Sequence, residues 1–161
     1  AAIPPRWVIQ VKDSTAVSTD ADVSNKEELL NALIDALGSQ VDEQQLEDIR
    51  KSVFQRERIM STGVGKNLAI PHGKVSSIEK NYASFAILNN PVEFGSVDQQ
   101  PVKLAFLLVG PENNNSMHIK LLSRISRLMN STVFRQKLEK CTTPEEVYNA
   151  FYNEERRYFG G

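Results

Sequence analysis

The sequence contains very little cysteine and histidine: one cysteine, Cys141, and two histidines, His72 and His118, in 161 residues. A lone cysteine cannot form an internal disulfide, so a disulfide-stabilised secreted scaffold is excluded and a reducing compartment is favoured. Zinc sites use paired Cys and His ligands at short spacing, and three such residues far apart in sequence do not provide them. We therefore expect neither a structural metal nor a cofactor.

Long apolar runs and an excess of charge of one sign are also absent. No apolar stretch approaches the roughly 20 residues that span a bilayer, and residues 1–10 lack the pattern of a signal peptide. Lys and Arg number 19 and Asp and Glu 20, for a net charge of −1. Because there is no basic stripe, we expect no binding to nucleic acid and no insertion into a membrane. These features predict a cytoplasmic protein, and the length suits a single domain.

Apolar periodicity predicts strands that alternate with helices. Strands are predicted over residues 7–11, 82–89 and 102–110, with a short strand at 68–70 that runs into a turn at Pro71–Lys74. Helices are predicted from a Ser24–Glu27 capping box to Gly38, after Asp42, from Asn115 or Ser116 to Met129, over 133–140, and from a Thr143–Glu146 capping box to about Asn153. This order indicates an α/β fold with a mixed, mainly parallel central sheet and helices packed on both faces. The continuously apolar segment 102–110 is typical of a central strand covered on both sides.

The glycine-containing loop STGVGKN (61–67) fits neither nucleotide-binding motif. The P-loop requires a glycine five residues before Gly65, where Met60 stands, and Ser or Thr where Asn67 stands. The dinucleotide fingerprint requires its last small residue where Leu68 stands. The glycines are therefore interpreted as serving the backbone geometry of the loop.

The two histidines are predicted to meet at one edge of the sheet. His72 ends a predicted strand, and His118 lies in the first turn of the helix that follows the apolar strand. The carboxyl ends of strands and the starts of the following helices share an edge in such folds, so both rings are expected to face one crevice. Arg56 lies just before the loop that contains Ser61 and Thr62. Two neutral imidazoles, a guanidinium, hydroxyls and free helix N–H groups indicate a phosphate pocket.

Histidine chemistry favours phosphoryl transfer over the alternatives. An imidazole with an ordinary pKa is a competent nucleophile at neutral pH, and phosphoryl transfer needs mainly positioning and charge stabilisation. No acidic cluster that would bind magnesium is evident, which favours transfer between histidine or cysteine carriers over transfer from a nucleotide. Cys141 is interpreted as a packing residue. A hydrolase built on the two histidines would need an acidic partner or a metal, and the sequence shows neither.

The segment RERIMSTGVGKNLAIPHGK (56–74) resembles the signature of a known family. It is similar to the enzyme IIA domains of the bacterial phosphoenolpyruvate-dependent sugar phosphotransferase system, of the fructose/mannitol type that includes the nitrogen-regulatory IIA proteins. The segments 24–37 and 92–129 resemble further parts of these domains. The chain departs from the family pattern at Met60 and Asn67. The resemblance predicts one such domain over residues 6–153, with flexible termini at 1–5 and 154–161.

The resemblance also implies a role for each candidate residue. His72 would be the phosphorylated nucleophile, reacting through Nε2, and His118 would form a hydrogen bond to the phosphoryl group. Arg56 would stabilise phosphate charge, although the neighbouring Arg58 competes for that role. Ser61 and Thr62 would line the pocket. Lys74 and Met117 are expected at its rim.

Two functions remain open for such a domain. As a phosphocarrier it would accept a phosphoryl group from an HPr-like donor and pass it to a IIB domain. As a regulatory phosphoprotein of the nitrogen-regulatory type it would control partner proteins, because a phosphoryl group adds about −1.5 to −2 charge to an interface. No IIB or membrane-spanning IIC segment accompanies the domain in this sequence, which shifts the expectation toward a stand-alone regulatory member.

Overall fold

The computed structural model describes residues 15–157, and the strand predicted at 7–11 lies outside the described residues. Six strands form one sheet: β1 (Thr15–Ala21), β2 (Gly63–Gly65), β3 (Leu68–Ala69), β4 (His72–Val75), β5 (Tyr82–Val92) and β6 (Val102–Pro111). The helices are α1 (Lys26–Asp35), α2 (Glu43–Ile59), α3 (Asn115–Met129), α4 (Thr132–Glu139) and α5 (Pro144–Glu155). No helix formed by residues 15–157 is long and apolar enough to cross a membrane.

The sheet is mixed, as predicted. Its strand order is β1-β5-β6-β3-β2, and β4 also pairs with β6. Three of the five ladders are parallel (β1–β5, β3–β6 and β4–β6), and β5–β6 and β2–β3 are antiparallel. The prediction of a mixed, mainly parallel sheet is therefore confirmed, although the long β5–β6 ladder is antiparallel.

Strand β6 lies at the centre of the molecule because both of its faces are apolar. Leu104, Phe106 and Leu108 face a cluster that includes buried residues of α3, α4 and α5. Ala105 and Leu107 face a second cluster with buried residues of α1 and α2. Alternate residues of a strand point to opposite faces, so one continuous apolar segment supports both layers. Helices therefore pack on both faces, as predicted.

The first helix begins one residue later than the sequence pattern indicated. Asn25, not Ser24, is the N-cap, and its side chain accepts a hydrogen bond from the backbone N–H of Glu28. The Glu28 carboxylate in turn accepts from the N–H of Ser24. The predicted Ser24–Glu27 capping box was wrong because Asn25 and Glu28 have the same spacing, and asparagine caps as well as serine.

The last helix, α5, begins as predicted and runs further than predicted. Thr143 and Glu146 form the predicted capping box. The helix continues to Glu155, beyond the end expected near Asn153, and the side chains of Glu154 and Glu155 are buried. The segment that follows Asn153 therefore begins as packed helix.

The backbone around His72 differs from the turn that the sequence suggested. His72 is the first residue of β4, which runs parallel to β6 with His72 opposite Leu108. The prediction of a turn at Pro71–Lys74 was wrong because the edge of β6 holds this short polar segment extended. Helix α2 packs closely on it: a Cβ at Gly73 would lie 2.7 Å from the Ser52 hydroxyl oxygen. Glycine is required at this position by that close approach.

The β2–β3 turn explains one departure from the family pattern. Asn67 has a positive φ of 64°, following Gly65 and Lys66, which also have positive φ. Asparagine tolerates this left-handed backbone better than most residues. The Asn67 side chain also donates to the carbonyl oxygen of Pro101 at 2.8 Å. The loop therefore keeps its tight geometry with asparagine at this position.

Candidate functional site

His72 and His118 face each other across one cavity. Their ring centroids are 5.9 Å apart, with the planes tilted by 54°. His72 begins β4, and His118 lies in the first turn of α3, directly after β6. Because β4 and β6 are paired and parallel, the two elements bring the rings to the same edge of the sheet.

The cavity between α2, β4 and α3 has a volume of about 770 Å³. Polar side chains that line it include Arg56, Lys74 and Asn115. Ile59 and Ile119 also contribute to its lining, and their side chains are 80% and 58% exposed. Among residues 15–157, no three His, Cys, Asp or Glu side chains converge as a metal site would require. The cavity thus combines cations and imidazoles with an exposed apolar margin.

The Nδ1 atom of His72 lies 2.9 Å from the carbonyl oxygen of Ile70. A carbonyl oxygen only accepts, so Nδ1 carries the proton and Nε2 carries the lone pair. Burial lowers the pKa of His72 below its ordinary 6.5, and the nearby cations of Arg56 and Lys74 act in the same direction. His72 is therefore a neutral imidazole with its nucleophilic lone pair on Nε2.

His118 is more deeply buried, with 4% of its surface exposed. Burial lowers its pKa to about 4, with smaller contributions from His72 and Lys74. The ring is neutral at pH 7, as the sequence predicted, and the main cause is burial. Its Nδ1 atom is buried and has no hydrogen-bond partner among the described residues.

These pKa values predict the pH dependence of the site. Both histidines have folded-state pKa values below the ordinary 6.5, so below that pH the unfolded chain binds more protons than the folded one. Stability should therefore fall as the pH drops from 6.5 toward 4. In an NMR titration of the two rings, His72 should show a midpoint below 6.5 and His118 a midpoint near 4. A midpoint at or above 6.5 for either ring would contradict the described burial.

The sequence did not decide between Arg56 and Arg58, and the structure places their side chains in different pockets. Arg56 lines the histidine cavity, and its Nη1 donates to the carbonyl oxygen of Met60 at 2.7 Å. Arg58 lines a different surface pocket, next to Glu57 and Phe54. Residues two positions apart on a helix do not share a face. Of the two arginines, Arg56 is therefore the one that lies in the histidine cavity.

Ser61 and Thr62 are not brought into the cavity. The Thr62 hydroxyl donates to the buried carboxylate of Glu57, which also accepts from the Thr62 N–H at 2.8 Å. The Ser61 hydroxyl donates to the carbonyl oxygen of Phe94 at 2.8 Å. Lys26 completes the cluster with an ion pair to Glu57 at 2.9 Å. The Thr62 hydroxyl thus connects the glycine loop to α2, and the Ser61 hydroxyl connects it to the segment that contains Phe94.

Lys74 is exposed and lines the cavity at its margin, which agrees with the rim position expected from the sequence. Lys74 Nζ donates to Asn115 Oδ1 at 2.6 Å, which ties β4 to the first turn of α3. The same amine contributes to the lowered pKa of both histidines. Lys74 lies two residues after His72, and therefore on the same side of the extended strand β4 as His72.

Cys141 lies away from the histidine cavity. Its side chain packs against the core cluster on the α3–α5 side of the sheet. Burial raises the pKa of its thiol, and Glu146 acts in the same direction. A nucleophilic cysteine needs the opposite shift, so the packing role expected from the sequence fits this environment.

Residues 10–154 match a family model described as "Phosphoenolpyruvate-dependent sugar phosphotransferase system, EIIA 2". The chain belongs to this family. The resemblance noted in the glycine loop and around His72 is thereby confirmed, and it extends over most of the chain. Members of this family act as phosphotransfer components of the phosphotransferase system, and EIIA domains of this class interact with HPr-type phosphodonors and IIB domains.

Individual relatives include both nitrogen regulatory proteins and EIIABC components of phosphotransferase systems. A nitrogen regulatory protein of Bradyrhizobium diazoefficiens is 36% identical over 127 residues, covering 79% of this chain and 82% of the relative. The Escherichia coli EIIABC component specific for 2-O-α-mannosyl-D-glycerate is 28% identical over 137 residues, covering 84% of this chain but 21% of that protein. The crystal structure of the nitrogen regulatory protein IIA-Ntr from Neisseria meningitidis superposes with a TM-score of 0.76 at 28% identity, covering 84% of this chain and 92% of the other.

Proposed function

We propose that the protein is a histidine phosphocarrier in which His72 accepts a phosphoryl group from a phosphorylated HPr-like protein. The observation that carries this proposal is the 2.9 Å contact between His72 Nδ1 and the Ile70 carbonyl oxygen. It places the lone pair on Nε2 while Arg56 and His118 line the same cavity. A neutral imidazole with a fixed tautomer, beside a cation and a second imidazole, suits reversible phosphoryl transfer.

In the proposed step a bond forms between Nε2 of His72 and phosphorus as the nitrogen–phosphorus bond of the donor breaks. The donor imidazole leaves with the electron pair of that bond. The Nδ1–H of His72 keeps its hydrogen bond to the Ile70 carbonyl oxygen, and this oxygen stabilises the positive charge that develops in the ring. Negative charge on the three phosphoryl oxygens faces Arg56 and Lys74, so the cavity stabilises the transition state electrostatically.

The phosphorylated protein has two proposed uses. It passes the group to a cysteine of a IIB domain by the same displacement, or it holds the group as a regulatory state that changes which proteins it binds. The nitrogen regulatory relatives, which this chain matches over most of their length, support the regulatory use. Ile59 and Ile119 provide the exposed apolar margin on which either kind of partner would dock. In both cases we expect the protein to work in the cytoplasm, with its phosphodonor.

The test is phosphoryl uptake from phosphoenolpyruvate in the presence of enzyme I and HPr, followed by intact-mass measurement. The protein should gain one phosphoryl group that is lost in acid and retained in base, as a phosphohistidine is. Omitting HPr should prevent the gain. An unmodified protein in the presence of donors that load another IIA domain would overturn the proposal. Adding a IIB domain to the loaded protein then separates onward transfer from a purely regulatory state.

A further inference from the structure

Two buried polar atoms beside the histidine cavity lack a hydrogen-bond partner among residues 15–157. One is Nδ1 of His118 and the other is Oδ1 of Asn81. Leaving a buried donor or acceptor unsatisfied costs about 1–3 kcal/mol, so such atoms are rarely left unpaired in a folded protein. One of the two is an acceptor, and the other becomes a donor when the neutral imidazole carries its proton on Nδ1.

The two atoms border the same small space above Gly110. A Cβ built on Gly110 would lie 2.4 Å from Asn81 Oδ1 and 3.3 Å from His118 Nδ1. The strand pairing explains why they meet. Asn81 directly precedes β5, and the Tyr82–Val109 pair of the β5–β6 ladder sets it across from Gly110. His118 reaches the same point from the first turn of α3, and glycine at position 110 leaves room for both side chains.

We propose that Asn81 is a positioning residue for His118: the two atoms are not bonded in the described geometry, and a rotation of the Asn81 side chain lets the Nδ1–H of His118 donate to its side-chain oxygen. This hydrogen bond satisfies both buried atoms and fixes the ring tautomer, with the lone pair on Nε2. It also fixes the orientation of the ring relative to His72. The arrangement parallels that of His72, whose Nδ1–H is held by the Ile70 carbonyl oxygen. Each imidazole of the cavity thus has its Nδ1 anchored by an oxygen acceptor.

The consequence for phosphoryl transfer rests on the proposed function. An acceptor at Nδ1 is compatible with the neutral ring and with the imidazolium ion, because both carry a proton on that nitrogen. When a phosphoryl dianion enters the cavity, Nε2 of His118 can take up a proton and donate it in a hydrogen bond to a phosphoryl oxygen. The Nδ1 bond to Asn81 is kept throughout. His118 therefore changes charge without rotating, and the site is already organised before the phosphoryl group arrives.

The experiment is long-range ¹H–¹⁵N NMR of the histidine rings in the unphosphorylated protein at neutral pH. Wild-type His118 should show the Nδ1–H tautomer. Asn81→Leu, which removes the acceptor at similar volume, and Gly110→Ala, which displaces it, should both shift the ring toward Nε2–H. Asn81→Asp restores an oxygen acceptor and should retain Nδ1–H. Asn115→Leu is the matched control, because Asn115 lines the same cavity but contacts Lys74, and the tautomer of His118 should not change.

Either of two results would overturn the inference: a wild-type His118 in the Nε2–H form, or an unchanged tautomer in folded Asn81→Leu. Should Asn81→Leu fail to fold, the wild-type spectrum and the Asn81→Asp variant still decide. A second readout is the rate of phosphoryl uptake, which should fall by up to about 100-fold in Asn81→Leu, the cost of misplacing a catalytic group by about 1 Å, while the His72 tautomer is unchanged. The NMR result does not require uptake, so failure of the proposed function and failure of this inference are distinguishable.

Discussion

Replacing His72 with alanine is expected to abolish phosphoryl uptake, whereas replacing His118 with glutamine should slow uptake without removing the acceptor. In the proposed step His72 provides the attacking lone pair on Nε2. His118 would contribute a hydrogen bond to the transferred group, and losing one such preorganised contact costs about 100-fold in rate. Rapid-quench measurement of labelled phosphate on each variant gives both numbers. The two rings lie 5.9 Å apart in one cavity, so each variant is a control for the other.

The reverse pattern would contradict this assignment. Undiminished uptake by His72→Ala, with complete loss in His118→Gln, would make His118 the acceptor. Because His118 is buried, its replacement also tests the packing at the start of α3. Thermal unfolding of both variants, measured beside the wild type, separates a loss of chemistry from a loss of fold.

Arg56→Ala is expected to slow phosphoryl uptake by about 10²–10³-fold, the usual cost of removing a charge-stabilising donor from an active site. The Arg56 guanidinium lines the cavity and contributes to the lowered pKa of His72. In the proposed transition state the same positive charge would stabilise the phosphoryl oxygens. Arg56 is only half-buried and its guanidinium donates to the Met60 carbonyl oxygen, so folding should be little affected.

Arg58→Ala is the matched control for this prediction. It removes the same charge from the same helix, two residues away, but on the face turned toward Phe54 and Glu57. Its uptake rate should stay within about threefold of the wild type, because exposed charges outside the cavity are largely screened by salt. Equal losses in the two variants would show a general effect of positive charge on donor docking and would remove Arg56 from the proposed chemistry. Arg56→Lys should recover part of the rate, since it keeps the charge but loses the planar fork.

Much of the fold followed from local patterns in the sequence. The apolar residues of α1 and α3 recur at helical spacing, and the unbroken apolar segment of β6 indicated a strand covered on both faces. Those patterns also indicated that His72 and His118 would meet, because the site lies where paired strands and the next helix converge. The start of α1 was misplaced by one residue because Ser24 and Asn25 both have capping side chains.

Other features depended on contacts that no local pattern encodes. The segment from His72 to Val75 contains glycine and lysine and has weak strand propensity, yet the edge of β6 holds it extended. The orientation of Thr62 is decided by the buried Glu57 carboxylate, so its hydroxyl is turned away from the cavity. No sequence motif identified Asn81 as a residue of the site, because its position beside His118 follows from the β5–β6 register.

The first measurement is ³¹P–¹⁵N NMR of the phosphorylated protein with labelled histidine, which identifies the nitrogen that forms the bond to phosphorus. We expect one phosphorus signal coupled to Nε2 of His72, with Nδ1 still protonated and bonded to the Ile70 carbonyl oxygen. Coupling to Nδ1 of His72 would contradict the tautomer assigned from the 2.9 Å contact. Coupling to either nitrogen of His118 would contradict the choice of nucleophile itself.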